Sequence, residues 1–298
     1  MRYELGKLEI RASVITAYFQ FLAARDGLSL AKQQVSLSQE FVDKAEIRRQ
    51  VGDAASIEIV RARVELARAQ NELRTAESGH RSGWAQLNAV LGREADKGIS
   101  SLDSLIYRRF DLSLPEIKQE ALADHPRLSE ANALVGAASS LRKLAWGSLL
   151  PAFEISGFQQ EIEGDPNFYG VEVGLKVPLW FAFRQRGEIQ QATGILASQE
   201  SQRSQIHLQL LADIEGAYAT FEAVNSQLEN FATTLLDQAN EVYRIALRSY
   251  EEGEAGYLEL LEAQRTLIEV RRSYVETLTE YYVAIANLER ASGITIIQ

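Results

Sequence analysis

Apolar side chains fall at helical spacing at both ends of the chain. Leu260, Leu267, Tyr274, Tyr281 and Leu288 stand seven apart, and Leu261, Ile268, Val275 and Tyr282 repeat beside them. The first hundred residues answer with Ile59, Leu66, Leu73 and Leu87, with His80 at the position between. Two adjacent heptad rows bury a wider face than the single seam of a two-stranded coiled coil, as expected of a helix with neighbours on both sides and equally of a helical bundle core with a wide stripe. All five prolines lie between residues 115 and 178, so both flanks are free of that helix breaker. The pattern predicts helices over about 6–49, 54–91, 187–250 and 255–290. The third would run on the order of 90 Å at the helical rise, far beyond an ordinary globular helix, which points to a coiled coil or a tube of helices.

The middle of the chain changes period. A shorter helix is expected from about Pro115 to Gly147. After Pro151 the apolar residues alternate: Phe153 and Ile155 with Glu154 and Ser156, then Tyr169, Val171, Val173, Leu175 and Val177 with Gly170, Glu172, Gly174 and Lys176. Gly164-Asp165-Pro166-Asn167 reads as the turn between two strands. A hairpin over 152–178, apolar on one face and polar on the other, matches one element of an outer-membrane barrel and equally a soluble hairpin packed on helices. Trp180, Phe181 and Phe183 follow, either as an interfacial aromatic girdle or as core.

The two helical ends are copies of each other. Ala17-Tyr18, Phe21, Leu28, Val42 and Arg48 recur about 200 residues on as Ala217-Tyr218, Phe221, Leu228, Val242 and Arg248. One inserted residue follows. Beyond it Gly52, Ile57-Glu58-Ile59, Ala62, Leu66, Leu87 and Gly92 meet Gly253, Leu258-Glu259-Leu260, Ala263, Leu267, Leu288 and Gly293. A period of that length is a duplicated unit rather than a solenoid repeat. Each copy reads as a long helix, a turn at glycine and a second helix running back, with Gly52 and Gly253 as left-handed caps. The expected division is 1–112 for the first repeat and 113–298 for the second, which adds a leading helix and the hairpin before its helices at 187–290.

Composition narrows the function classes. A net charge of −10 argues against a nucleic-acid binder, and the absence of cysteine removes thiol chemistry and disulfides. No apolar run reaches the roughly 18 residues of a membrane helix. The first residues lack the apolar core of a signal peptide. His80, His125 and His207 are scattered, no metal-ligand spacing occurs, and no glycine-rich phosphate loop follows a strand. No enzyme, cofactor or metal site is expected. Glu259 and Glu262 are three apart and therefore share one helical face just past Gly253, either as a solvated surface or as a functional pair.

In this order, a duplicated helical hairpin, a strand pair with Val177-Pro178-Leu179-Trp180-Phe181 and Arg186-Gly187-Glu188-Ile189, and a very long helix into a glycine turn resemble the TolC-type outer-membrane efflux family. Leu149-Leu150-Pro151 and Tyr250 to Gly253 through Ala263-Gln264-Arg265-Thr266-Leu267 are the other specific segments. The stretch from Pro178 to Gly187 is also similar to the heavy-metal efflux branch. The resemblance implies a mainly α fold of antiparallel coiled-coil hairpins in two pseudo-repeats, with one β-hairpin contributing to an outer-membrane β-barrel. It implies a homotrimer in outer-membrane lipid with a periplasmic extension, joined to a periplasmic adaptor and an inner-membrane pump, and passively conducting what the pump delivers. It makes Glu259 and Glu262 an entrance constriction, Gly52, Gly253, Arg48 and Arg248 the helix tips where an adaptor docks, and Val171, Val173, Leu175 and Val177 the lipid-facing strand. Arg48 fits the family's Arg-x-x-x-Gly pattern, whereas Arg248 lies one residue early. The first repeat has Arg61 where the second has Glu262, so one acidic pair per protomer is expected. The family gives four strands per protomer and this chain shows two, so it reads as an N-terminally truncated member. The alternative is a soluble structural coiled-coil protein or the periplasmic adaptor itself.

Overall fold

The computed structural model describes residues 2–50, 56–98, 104–162, 165–177 and 184–297. Along the chain run α1 (Arg2–Gln50), α2 (Ser56–Val90), α3 (Leu114–Asp124), α4 (Pro126–Gly147), β1 (Ala152–Ile162), β2 (Asp165–Lys176), α5 (Arg184–Asn230), a π-helical turn (Phe231–Leu235), α6 (Leu236–Glu251) and α7 (Tyr257–Ser292). Contacts divide it into two compact units, one of Leu122–Leu211 and one of Arg2–Ala121 with Ala212–Gln298.

The larger unit holds the heptad rows. Leu260, Leu267, Tyr281 and Leu288 are buried, as are Leu261 and Tyr282 of the adjacent row and Ile59 and Leu87 of the first copy. One cluster gathers Leu22, Phe221, Leu228, Leu278, Tyr281 and Ile285. A second gathers Phe41, Val42, Ala62, Tyr250, Tyr257, Leu260 and Leu261, and so joins α1, α2, α6 and α7. Glu289 is 2% exposed yet fully used: Arg11 Nε donates to it at 2.9 Å, and the backbone N–H groups of Ile296 and Ile297 donate at 2.6 Å. His80 is half-buried with its ring 5.3 Å from Phe21, as packing rather than a ligand.

The long helix departs from expectation at one place. Between Phe231 and Leu235 it opens into a π turn, the usual way a helix absorbs one extra residue. Ala31, Ser38 and Ala45 are buried in α1; their counterparts are Phe231, Ala239 and Ala246. The offset between repeats thus rises from 200 to 201 across the π turn. The inserted residue that the sequence match sets after Arg248 is accommodated here instead, and Val242 is the structural counterpart of Phe41.

In the smaller unit the expected helix from Pro115 to Gly147 is two helices. His125 is extended, at φ −62° and ψ 127°, and its ring nitrogen accepts the Arg127 N–H at 3.2 Å. Pro126 at the first helical position forces that geometry on the residue before it and starts α4. The hairpin is antiparallel, pairing Phe153 with Leu175, Ile155 with Val173 and Gly157 with Val171. Its strands run further than the turn sequence suggests: Asp165, Pro166 and Asn167 belong to β2, and Ile162 pairs with Asp165. The register slips between Gln160 and Ile162, opposite Pro166, where a residue without an N–H loses least. The expected turn residue Gly164 and the aromatic residues Trp180, Phe181 and Phe183 lie outside the described residues.

Candidate functional site

The helical ends near Gly253 bring together Arg48, Gly253, Glu259 and Glu262 of the residues singled out in the sequence. α6 stops because Gly253 adopts φ +79°, a left-handed conformation open to glycine. The released carbonyls are still satisfied: Gly253 N–H donates to Tyr250 O at 3.2 Å, and Glu254 N–H to Ser249 O at 2.9 Å. Gly256 caps the next helix in extended conformation, and α7 begins at Tyr257. Tyr257, Leu260, Leu261, Ala263 and Gln264 turn inward, which leaves Glu259 and Glu262 exposed on the outer face of the first two turns. Neither carboxylate forms an ion pair with another described residue. Glu259 also sits in the first turn, where the positive end of the helix dipole favours an anion.

The first repeat ends beside the second. The Arg48 guanidinium lies 4.7 Å above the Tyr250 ring and donates to the Tyr250 carbonyl at 3.5 Å. Lys44 bridges Glu40 and Glu251, each at 3.0 Å. Burial lowers the Lys44 pKa, but the hydrogen bonds and charges of the two carboxylates outweigh it and raise it above the ordinary lysine value. Arg248 is exposed in the last turn of α6 and is not part of this contact. Gly52 lies outside the described residues. Glu58, the counterpart of Glu259, is half-buried, with one carboxylate oxygen enclosed and without a hydrogen-bond partner. Arg61, the counterpart of Glu262, is exposed.

Two features of this region were not read from the sequence. Glu65 pairs with Arg265, and Glu72 with Arg272 at 3.2 Å, so ion pairs one heptad apart tie α2 to α7. The seven-residue spacing on both helices was the available signal. Further along, Tyr281 and Tyr282 donate to the carbonyls of Arg108 and Ile106 at 2.9 and 2.6 Å, and Tyr218 to that of Leu112 at 3.0 Å, so the non-helical segment 104–113 is clasped by hydroxyls. Tyr257 is buried, and that burial, with the Glu65 carboxylate adding to it, pushes its pKa up to about 12.

The hairpin has the two-faced character the alternation predicts. Val171, Val173 and Leu175 are 75%, 70% and 56% exposed, as are Phe153 and Ile155 across the ladder at 81% and 74%. Val177 continues the row just past the strand. Glu154, Glu172 and Lys176 occupy the opposite face. Among the described residues no group of three His, Asp or Glu side chains is placed to hold a metal ion.

These features can be set against known proteins. The family model described as outer membrane efflux protein matches residues 1–93 and 117–294. The cobalt-zinc-cadmium resistance protein CzcC of Cupriavidus metallidurans is 25% identical over 289 residues, which are 96% of this chain and 68% of that protein. The pyoverdine export outer membrane protein OpmQ of Pseudomonas putida is 24% identical over 96% of this chain and 62% of its own length. The chain therefore spans about two thirds of the length of these relatives. The fold is shared with the outer-membrane channel OprN, at TM-score 0.80 and 18% identity over 97% of this chain and 67% of that one. It is also shared with the outer membrane protein VceC of Vibrio cholerae, at TM-score 0.77 and 18% identity over 96% of this chain and 70% of that one. With the family model covering nearly all of its length, the chain belongs to the outer membrane efflux protein family.

Proposed function

We propose that this outer membrane efflux protein is one subunit of a passive exit duct, without catalysis or an energy source of its own. An inner-membrane pump delivers the cargo through a periplasmic adaptor, and three copies of the chain enclose the path. The observation that carries the reading is the β-hairpin. Strands of 11 and 12 residues have the length of a bilayer-spanning barrel strand, and Phe153 and Ile155 with Val171, Val173 and Leu175 make one face of the ladder bare and apolar where Glu154, Glu172 and Lys176 charge the other. In water that face would be an exposed apolar patch. In lipid it is the stable arrangement. The helices of the two repeats, 1–112 and, outside the hairpin, 113–298, then form the periplasmic extension, and their ends at Gly52 and Gly253, with Arg48 and Arg248, receive the adaptor.

Glu259 and Glu262 form the entrance constriction in this reading. What supports it is their exposure on one face of α7 beside the Gly253 turn and their lack of ion-pair partners among the described residues. Three copies would set six carboxylates around one opening, and such a ring favours cations. The test is conductance of the full-length protein in planar bilayers. Replacing both with glutamine should weaken cation selectivity and reduce block by divalent ions. Unaltered selectivity and block, with the protein still trimeric, would mean that these carboxylates are solvated surface.

A further inference from the structure

We infer that Phe158, laid over Gly170, is a contact for organic cations on the inner wall of the barrel, with Glu172 and Glu154 beside it. The inference deepens the duct reading above, on which it rests for the enclosed lumen. The alternation of apolar and polar positions breaks at one place in the hairpin. Phe158 follows Glu154 and Ser156 at two-residue steps, so its side chain leaves β1 on their face, away from Phe153 and Ile155. Across the ladder it meets Gly170, which shares that face with Glu172, Gly174 and Lys176. Among the described side chains of this face it is the only large apolar one, and it is 48% exposed.

Gly170 gives the ring its place. A Cβ at that position would stand 2.7 and 2.9 Å from the two Cε atoms of Phe158 and nearer still to Cζ. Those distances belong to a point above the face of the ring, not one off its edge. One face of the phenyl group therefore covers the Gly170 backbone, and the other is turned to the lumen. An aromatic face carries the negative part of the ring quadrupole and attracts cations, quaternary ammonium groups among them. Glu172 stands one rung away, opposite Ser156, and Glu154 stands two rungs away, opposite Gly174, so long side chains reach the ring. Neither carboxylate forms an ion pair with another described residue. Lys176, the cation of this face, is three rungs off, opposite Ala152. Three copies would set three such rings around the lumen at one height.

The test uses the full-length protein in planar bilayers, with potassium carrying the current and tetraethylammonium as the probe. Tetraethylammonium added on the barrel side should block. Phe158→Leu keeps the bulk and removes the π face, and should raise the half-blocking concentration about three- to tenfold. Phe158→Tyr should hold block near the parent value, and Glu172→Gln should weaken it about two- to threefold. Gly170→Val should push the ring off the wall and lower potassium conductance, and adding Phe158→Ala should restore it. Absence of block in the parent, or equal block in Phe158→Leu, overturns the inference and leaves the duct standing. Equal loss of block in the Leu and Tyr variants does the same, since the ring would then only pack. Unchanged conductance in Gly170→Val overturns the placement of the ring. A protein that carries no current in any form overturns both readings, because a wall contact needs a lumen.

Discussion

The two helical hairpins carry the same pattern and put it to different use. At Ile59 and Leu260 they agree, both buried; at Ile57 and Leu258 they agree again, both exposed. They part at Val60 and Leu261, one bare and one enclosed, and at Arg61 and Glu262, which have opposite charge. Duplication explains the agreement, because a side chain that packs within its own hairpin meets the same neighbours in both copies. The differences fall where a hairpin meets something outside itself. α1 and α7 face each other, whereas α2 and α6 face outward.

Four experiments bear on that comparison. The largest effect is expected in the shared core: Leu260→Ala and Ile59→Ala should each cost about 2–5 kcal/mol in denaturant unfolding, because both side chains are enclosed. A near-neutral result at either would break the equivalence of the hairpins. Next comes the β-hairpin, whose bare apolar face is, in the proposed function, one that meets lipid rather than protein. Val173→Arg should cost about 2–4 kcal/mol of membrane stability if it lies at the bilayer midplane, and substitution of Lys176 little. Equal tolerance at the two positions would argue for a hairpin in water.

The third separates the hairpins by pH. Tyr257 stands where the first repeat has Ser56, and its pKa is raised to about 12 from the ordinary 10. Its neutral form is therefore favoured by folding, so the stability is complete below pH 10 and lost as pH rises towards 12. Melting curves should show a fall over that window that Tyr257→Phe makes shallower; an unchanged slope would remove Tyr257 as its source. The smallest effect belongs to the ion pairs between hairpins. A double-mutant cycle on Glu72 and Arg272, both largely exposed, should give a coupling of about 0.2–1 kcal/mol that weakens with salt. A larger, salt-insensitive value would make the ladder a principal tie rather than a minor one.

Much of the fold was legible because burial and period coincide. The heptad rows, the Gly253 turn and the alternating strands each follow from a residue whose physical requirement is local. The break at His125 was missed because Pro126 suits a helix start as well as a helix stop. The extra length of β2 was missed because Asp165-Pro166-Asn167 has turn composition, and only the slipped register gives Pro166 a place in a strand. The heptad row through Leu228, Leu235 and Val242 continues unbroken in the sequence, yet the core passes instead through Ala239 and Ala246, whose small side chains carry little signal. At the candidate site the position of Glu259 and Glu262 followed from spacing alone, since Gly253 fixes where α7 begins. The contact of Arg48 with Tyr250 joins the two repeats, and no local pattern announces a meeting of that kind.

The π turn at Phe231–Leu235 has a consequence for how such a protein can change over generations. A codon added to an uninterrupted helix would swing every side chain below it by about 100° and scramble the packing of a whole arm. Widening one turn confines the change to five residues, so the arm below keeps its neighbours. A helix built this way can lengthen by single codons and still fit its partners. Removing one of Phe231 to Leu235 is the deletion this arm is best prepared to survive.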